Sequence, residues 1–341
     1  MNARQIIEIQ TNLFSEVKKA LLPSDVLGLV LSDVLSISTD AVYRRLRNET
    51  LLSIKEVGLL CHHFNISFDQ LIKREEGKIS FDYLDFQQVN FSLEVYLSGL
   101  LARLKQLLSI RQVRLYIVVN NVHFFQALNF PEIVHFRLFF WAKSNLFLQN
   151  YKDKKIDIHA FSKEALNLGR EALQVYNLLD TVELVDRELM RGYLRQILYA
   201  LDAGWFKENN QALTLLDKIL LWLDHYQQQA EQGKKFMAGN AAPASGSALF
   251  LHLNDTVNTD STFFYVGPEE SGVYLTHNIM NYLFTKDENY VQATKNAIER
   301  QLSNSNVVSL VNPKDRQKYF NEIKNQVLLT KAEIINKIER A

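Results

Sequence analysis

The side chains with the most binding chemistry are concentrated in one short stretch, TDAVYRRLRN, at positions 39 to 48. In a helix, Val42 and Leu46 of this stretch would share an apolar face. The opposite face would be polar, aromatic and basic, and it would carry Thr39, Asp40, Tyr43, Arg44 and Arg47. A guanidinium group can donate two parallel hydrogen bonds to a pair of acceptors, and the Thr, Asp and Tyr side chains add further hydrogen-bonding groups. This face is therefore the leading candidate for a binding surface.

The residues before this stretch predict the elements that would position it. Residues 26 to 35 have the spacing of an amphipathic helix, and Ser36-Ile37-Ser38 then predicts a turn. Ser38 can cap the next helix by accepting hydrogen bonds from its free N–H groups. Asn48 suits the left-handed conformation that ends many helices. We therefore expect a helix, a tight turn and a second helix over residues 26 to 48.

Two further helices are predicted downstream. Ser53 and Glu56 have the spacing of a capping box, and apolar residues recur at helical intervals from Ile54 to Phe64. Ser67 can cap a short helix that carries Phe68, Leu71 and Ile72. A small bundle of short helices is therefore expected in the first 78 residues.

Over residues 25 to 73, this order of elements resembles the helix-turn-helix head of lambda-repressor-like (XRE-type) bacterial transcription regulators. In such heads a helix like LSDVL precedes a turn like SIS and a recognition helix like TDAVYRRLRN, and a pair of helices like SIKEVGLLCHHFN and SFDQLI closes the bundle. The resemblance implies that the recognition helix, about Thr39–Arg47, enters the major groove of double-stranded DNA.

The same resemblance implies roles for individual residues. Thr39, Asp40, Tyr43 and Arg44 stand where the family reads base edges, and Arg45 and Arg47 stand where phosphate contacts are expected. Ser38, at the start of the recognition helix, belongs to the same predicted DNA-binding set. Asp40 can accept a hydrogen bond from cytosine, or it can simply favour the start of the helix through the helix dipole.

Charge gives only local support to nucleic-acid binding. The 341 residues contain 38 Lys and Arg against 38 Asp and Glu. Residues 24 to 76 contain six basic and eight acidic side chains, and the positive charge is concentrated in the cluster of Arg44, Arg45 and Arg47. A lone head should therefore bind DNA weakly, and we expect a homodimer that pairs two heads on a pseudopalindromic site.

Other chemistry-bearing residues favour structural roles. Cys61, His62 and His63 are adjacent, but neighbouring residues on a helix point in different directions, and Cys61 belongs to the apolar side. His123 and His135 lie among phenylalanines, which favours core or pocket-wall positions over ligand contact. No phosphate-binding glycine loop, HExxH pair or GxSxG motif occurs. The sequence thus predicts no enzyme, no metal site and no cofactor.

The remaining composition points to a cytoplasmic protein without membrane spans. The single cysteine fits a reducing compartment, and polar residues interrupt the most apolar stretches well before the ~20 residues that a spanning helix needs. Aromatic residues are abundant between Phe130 and Trp141. They could line an apolar effector pocket, although such residues more often form core.

Composition also divides the chain into segments. We predict a helix-turn-helix domain at 1–78, a helical regulatory and dimerisation domain at 79–232, a flexible loop at 233–249, and an α+β region at 250–341 that could pack with 79–232 as one unit. VRLYIVV at 113–119 predicts a buried strand, and STFFYVGPEESGVYLTH at 261–277 predicts a hairpin. Elsewhere helical spacing prevails over alternation.

The predicted fold class is therefore mainly α, with an N-terminal five-helix bundle and a larger helical C-terminal region that contains a few short strands. The predicted function is sequence-specific transcription regulation, with a C-terminal region for dimerisation and effector sensing, the effector being a small molecule or a protein. Two alternatives stay open. One is a helical protein-interaction adaptor without DNA binding, and the other is an enzyme whose site lies in the C-terminal region.

Overall fold

The computed structural model describes residues 2–22, 24–72, 78–84, 91–256 and 261–340. The chain divides into two compact units, Met1–Ser80 and Phe81–Ala341. We call them the head and the body.

The head contains five helices among its described residues. They are α1 (Ala3–Ala20), α2 (Leu27–Leu35), α3 (Thr39–Leu46), α4 (Ile54–His63) and α5 (Phe68–Leu71). Apolar residues at three-and-four spacing meet in one core, which includes the fully buried side chains of Leu13, Val17, Leu31, Val42 and Leu60. Burial of these side chains is what holds helices as short as α3 in place, because isolated helices of this length are unstable in water.

Several helix ends in the head follow from their capping residues. Ser53 and Glu56 form the predicted capping box, and Asn48 adopts the predicted left-handed conformation with φ of 59°. The prediction for Ser67 is wrong, because its side chain makes no capping hydrogen bond to α5.

The body is built around one sheet of eight strands. The strands are β1 (Asp82–Leu84), β2 (Arg114–Val118), β3 (Asp180–Val185), β4 (Leu249–Leu253), β5 (Thr262–Val266), β6 (Ser271–His277), β7 (Asn281–Thr285) and β8 (Asn306–Val307). Their order across the sheet is β1-β7-β6-β5-β2-β3-β4-β8. Three adjacent strands, β2, β3 and β4, run parallel, and all other neighbours are antiparallel.

Helices make the connections that parallel strands require. They are α6 (Leu93–Ser109), α7 (Phe124–Ala127), α8 (Pro131–Ser144), α9 (Lys163–Tyr176), α10 (Arg191–Asp202), α11 (Asn210–Gln232), α12 (Glu288–Ser303) and α13 (Pro313–Glu339), with a short 3-10 turn at Gln149–Tyr151. The chain crosses from β2 to β3 through α7, α8 and α9, and from β3 to β4 through α10 and α11. The long helix α13 packs against α11.

The predicted fold class is wrong for the chain as a whole. The protein is 55% helical and 13% strand, and its strands form a single mixed sheet rather than a few isolated pieces in a helical body. The predicted strand β2 and the hairpin of β5 and β6 are confirmed. However, β3 has five of its six residues buried, so it lacks the alternation by which a half-exposed strand is recognised.

The segment at 233–249, predicted as a flexible loop, is partly built into the body. Lys235 is 2% exposed and Phe236 is 7% exposed. A β-bridge joins Lys234 to Ala248, and β4 begins at the next residue. The regions on either side of this segment contribute strands to the same sheet.

Candidate nucleic-acid interface

The turn between α2 and α3 has a definite backbone geometry. Ser36 is left-handed, with φ of 53° and ψ of 46°, and its N–H donates to the carbonyls that end α2. Ser38 then caps α3 as predicted, since its side-chain oxygen accepts from the N–H of Ala41 at 3.3 Å. Only the three residues 36 to 38 separate the end of α2 from the start of α3, and the two helices pack against each other.

The predicted recognition residues are grouped on the solvent side of α3. Val42 is fully buried and Leu46 is half-buried, which anchors one face of the helix in the head core. The other face exposes six of the seven predicted residues, Ser38, Thr39, Asp40, Tyr43, Arg44 and Arg47. The structure thus brings these six side chains together on one surface.

Arg45, the seventh predicted residue, is placed elsewhere. Its side chain is only 16% exposed, and its Nη2 lies 2.7 Å from Oε1 of Glu56 on α4. Nη1 also donates to the carbonyl of Ala41 at 3.1 Å. The guanidinium is therefore held inside the head by its ion pair with Glu56. The predicted phosphate contact would require Arg45 to break this pair.

The two most exposed arginines of the surface have acidic neighbours. Arg44 Nη2 lies 3.2 Å from Asp40 Oδ2, and Arg47 donates through Nε to Glu49 at 2.7 Å. The hydrogen bond to Glu49 raises the pKa of Arg47. Both pairs are open to solvent, so they can be exchanged for another acceptor at small cost.

Gly28 on α2 determines where Tyr43 lies. A Cβ atom at Gly28 would be 2.9 Å from the hydroxyl oxygen of Tyr43 and 3.1 Å from its Cζ atom. Only a residue without a side chain lets the phenol pack this closely on α2. Tyr43 is still 47% exposed, so its ring is both positioned and accessible.

Gln10 on α1 secures the end of α3. This side chain is 5% exposed, and its Nε2 donates to the carbonyl of Arg45 at 2.9 Å and to that of Thr50 at 3.1 Å. Its Oε1 accepts from the N–H of Leu52 at 2.7 Å. These bonds satisfy backbone groups that the end of α3 leaves free. Sequence reasoning missed Gln10, since the partners are about 40 residues away.

The Cys61-His62-His63 cluster forms no joint site. Cys61 packs half-buried against the head core, and burial raises the pKa of its thiol, which disfavours the reactive thiolate. His62 and His63 are exposed at the end of α4. In the part of the chain that the structure describes, no group of three His, Cys, Asp or Glu residues could hold a metal ion.

The body contains a buried polar cluster that the sequence did not reveal. The carboxylate of Glu183 on β3 is fully buried and lies 3.0 Å from Nε2 of His123. Tyr176 donates its hydroxyl to the same carboxylate at 2.6 Å, and Tyr226 also donates to it. Burial opposes ionisation, but the His123 ring and the two hydroxyl groups lower the pKa of Glu183 to about 2. The acceptor of the cluster is therefore fully satisfied.

His135, the other histidine singled out in the sequence, is packed between aromatic rings. Its ring centroid lies 5.7 Å from that of Phe161 and 6.1 Å from that of Phe139. Burial lowers its pKa to about 4, so the imidazole is neutral at pH 7. His135 is thus a half-buried structural residue among these rings.

Comparison of the chain with protein-family models, with curated proteins and with solved structures found no match. Across the described residues, every helix is too short or too polar to cross a lipid bilayer.

Proposed function

We propose that the head is a sequence-specific DNA-binding module of a transcription regulator, with α3 as its recognition helix, as the resemblance to lambda-repressor-like heads implies. The observation that carries this proposal is the exposed face of α3. Six hydrogen-bonding side chains stand together there, directly after a tight turn that sets α3 against α2. A helix presented in this way has the dimensions and the chemistry for the major groove.

The contacts differ among the residues of this surface. Arg44 has a guanidinium that can bind both acceptors of a guanine, and Tyr43 and Thr39 offer hydrogen bonding and contact with a thymine methyl group. Asp40 can accept from cytosine, while Arg47 and Ser38 lie at the ends of α3 for phosphate contact. Arg45 has a supporting role in this proposal, because it is paired with Glu56.

The exposed face of α3 has two arginines, Arg44 and Arg47, and each has an acidic neighbour, which makes pairing of two copies part of the proposal. Two heads about one helical turn apart on a pseudopalindromic site would add their contacts. The body is the part that would form the dimer. Sedimentation of the full chain at micromolar concentration tests this step, and a strictly monomeric species with and without DNA would contradict it.

Selection from a random double-stranded DNA library tests DNA binding itself. We expect the full chain to enrich one discrete motif. Failure to enrich any motif would contradict the proposal and favour the protein-interaction adaptor.

Variants then test the assigned roles on the selected motif. Arg44→Ala should relax base preference at one position of each half-site, which corresponds to about 1 to 3 kcal/mol of discrimination. Arg47→Ala should weaken all sequences about equally. Arg300→Ala removes one exposed cation from the body and serves as the matched control, which should leave both affinity and preference unchanged. Unchanged preference in Arg44→Ala would refute the role of Arg44.

A further inference from the structure

Helix α8 carries one charged side chain into the apolar interior of the body. Arg137 is 9% exposed, and the neighbouring residues Phe136, Leu138, Phe139 and Phe140 are buried in the same core. A buried arginine normally has a carboxylate partner, since an isolated buried charge costs several kcal/mol.

Arg137 has no such partner among the described residues. No Asp or Glu oxygen there lies within 4.0 Å of its guanidinium nitrogens. Its one hydrogen bond runs from Nη1 to Oε1 of Gln196 on α10, at 2.6 Å. Burial lowers the pKa of Arg137, but an arginine starts so far above neutrality that the group stays protonated. The interior therefore contains a full positive charge that has no counter-ion among the described residues.

Aromatic rings surround this charge. The guanidinium carbon lies 4.1 Å from the ring centre of Tyr193 and 4.7 Å from that of Trp141. These contacts are cation–π interactions, which hold the guanidinium in place through its faces. They leave the edges of the group, where its N–H bonds point, for hydrogen bonding.

Arg137 and Trp141 each have a buried donor without an acceptor among the described residues. Nε of Arg137 and Nε1 of Trp141 are both buried and both without a hydrogen-bond partner. Guanidinium and indole nitrogens can only donate, so neither can satisfy the other. Buried donors are rarely left unpaired in native proteins, and two of them beside an uncompensated cation favour an acceptor that carries negative charge.

From this arrangement we propose that Arg137, Trp141 and Gln196 form a binding site for the carboxylate group of a small molecule. Nε and Nη2 lie on one edge of a guanidinium, and a planar carboxylate binds that edge with two parallel hydrogen bonds. A single negative charge matches the single cation. The half-buried side chain of Gln196 marks the side on which the site approaches the surface.

This site lies entirely in the body, and the proposal holds whether or not the head binds DNA. It also differs from the Glu183 cluster, where the buried acceptor already has its donors.

Nuclear magnetic resonance of the full chain can test the site directly. The probes are benzoate and acetate, with benzamide as the neutral isostere of benzoate and inorganic phosphate as the competing anion. We expect both carboxylates to shift the Nε–H signal of Arg137 and the indole signal of Trp141 in a saturable way, before the signals of exposed arginines move. Arg137→Lys and Trp141→Phe assign the two signals by their disappearance.

The other outcomes each overturn the proposal. Equal shifts with benzamide would show ring packing rather than anion binding. Shifts with phosphate alone would contradict the carboxylate assignment. If the Nε–H signal of Arg137 shifted only together with the signals of exposed arginines, the effect would be general salt binding.

Thermal unfolding gives a second readout. Benzoate should raise the midpoint of the body relative to benzamide, because a ligand that binds only the folded state stabilises it. Trp141→Phe keeps the aromatic ring but removes one donor, so it should reduce the rise, while Arg137→Met should abolish it. If Arg137→Met does not fold, the Arg137 signal of the wild-type chain still decides the question.

Discussion

Arg45 on α3 and Glu56 on α4 form a largely buried ion pair, with Nη2 of Arg45 2.7 Å from Oε1 of Glu56. The other oxygen of Glu56 accepts from the N–H of Ser53 at 2.7 Å and so closes the capping box of α4. One carboxylate therefore begins α4 and also fixes its position against α3. Glu56 is 9% exposed, so water cannot replace Arg45 easily.

Replacement of Arg45 should destabilise the head. Arg45→Ala leaves the Glu56 carboxylate without its charged partner, and we expect a loss of about 1 to 3 kcal/mol in the free energy of unfolding of the head. All three tryptophans are in the body, so fluorescence does not report on the head, and hydrogen exchange of the α3 and α4 amides is the measurement.

Arg47→Ala is the matched control for this change. Arg47 pairs with Glu49 in full solvent, so its removal should leave hydrogen exchange in α3 and α4 nearly unchanged. Equal effects of the two substitutions would show that the Arg45–Glu56 pair has no special role in the head.

Gly28→Ala should separate stability from recognition. Alanine favours helices over glycine, which contributes about 0.5 to 1 kcal/mol at an unstrained helical position. The new Cβ would, however, displace the Tyr43 phenol, whose oxygen lies 2.9 Å from that point. We expect a head of unchanged or higher stability that binds the selected DNA motif more weakly.

The control for this prediction is Gly58→Ala on α4, where a Cβ would meet nothing within 4 Å. It should add stability without loss of DNA affinity. A Gly28→Ala protein with wild-type affinity would contradict the assigned placement of Tyr43.

Gly233 and Gly204 allow a comparison of two left-handed glycines. Both have positive φ, of 60° and 62°, so alanine at either position incurs about 1 kcal/mol of backbone strain. At Gly233 a Cβ would also lie 2.5 Å from Cγ of Leu310, whereas at Gly204 the nearest atom is Lys155 Nζ at 3.9 Å.

We therefore expect Gly233→Ala to destabilise the body more than Gly204→Ala does, by at least about 1 kcal/mol beyond the shared strain. Urea unfolding followed by tryptophan fluorescence measures both. Equal losses would show that Leu310 moves aside freely.

Lys235 should make the stability of the body depend on pH. Burial lowers the pKa of this lysine from 10.5 to about 7, although the charges of Glu183 and Asp180 oppose the change. Between these two pKa values the unfolded chain binds more protons than the folded protein does. The free energy of unfolding should therefore rise as the pH increases from about 7 to about 9.5.

Lys235→Met should remove this rise, and urea unfolding of the body at several pH values measures it. Lys207→Met is the control, because a hydrogen bond to Asp157 raises the pKa of Lys207 and keeps its titration above this window. Measurements above pH 10 are unsuitable, since tyrosines begin to ionise in the unfolded chain. A wild-type slope in Lys235→Met would contradict the assignment.

The elements of the head could be predicted from the sequence because local interactions define them. The Ser38 cap and the Ser53–Glu56 capping box each join residues three positions apart. The left-handed conformation of Asn48 could be predicted from the type of that residue. Three-and-four spacing also assigned Val42 and Leu46 to the core. The inward position of Arg45 could not be predicted in this way, because its partner is on another helix.

In the body, short-range patterns located β2 and the hairpin of β5 and β6, but they did not reveal the sheet. Residues of β3 pair with residues about 65 positions away in β2 and in β4, and no local signal encodes that pairing. Strands buried on both faces lack the alternation of apolar and polar residues, and the charged residue Glu183 also interrupts the apolar run of β3.

By itself, the sequence determined helices α2 to α5 of the head, the surface chemistry of α3 and the neutral charge balance, because residue type and short-range spacing are sufficient for these. Only the tertiary structure decided that Arg45 faces Glu56, that Lys235 lies inside the body, and that Arg137 packs against Tyr193 and Trp141 with no counter-ion in the described part of the chain. The physical reason is that the burial and the charge partners of a side chain depend on residues distant in the chain, which only the folded packing brings together.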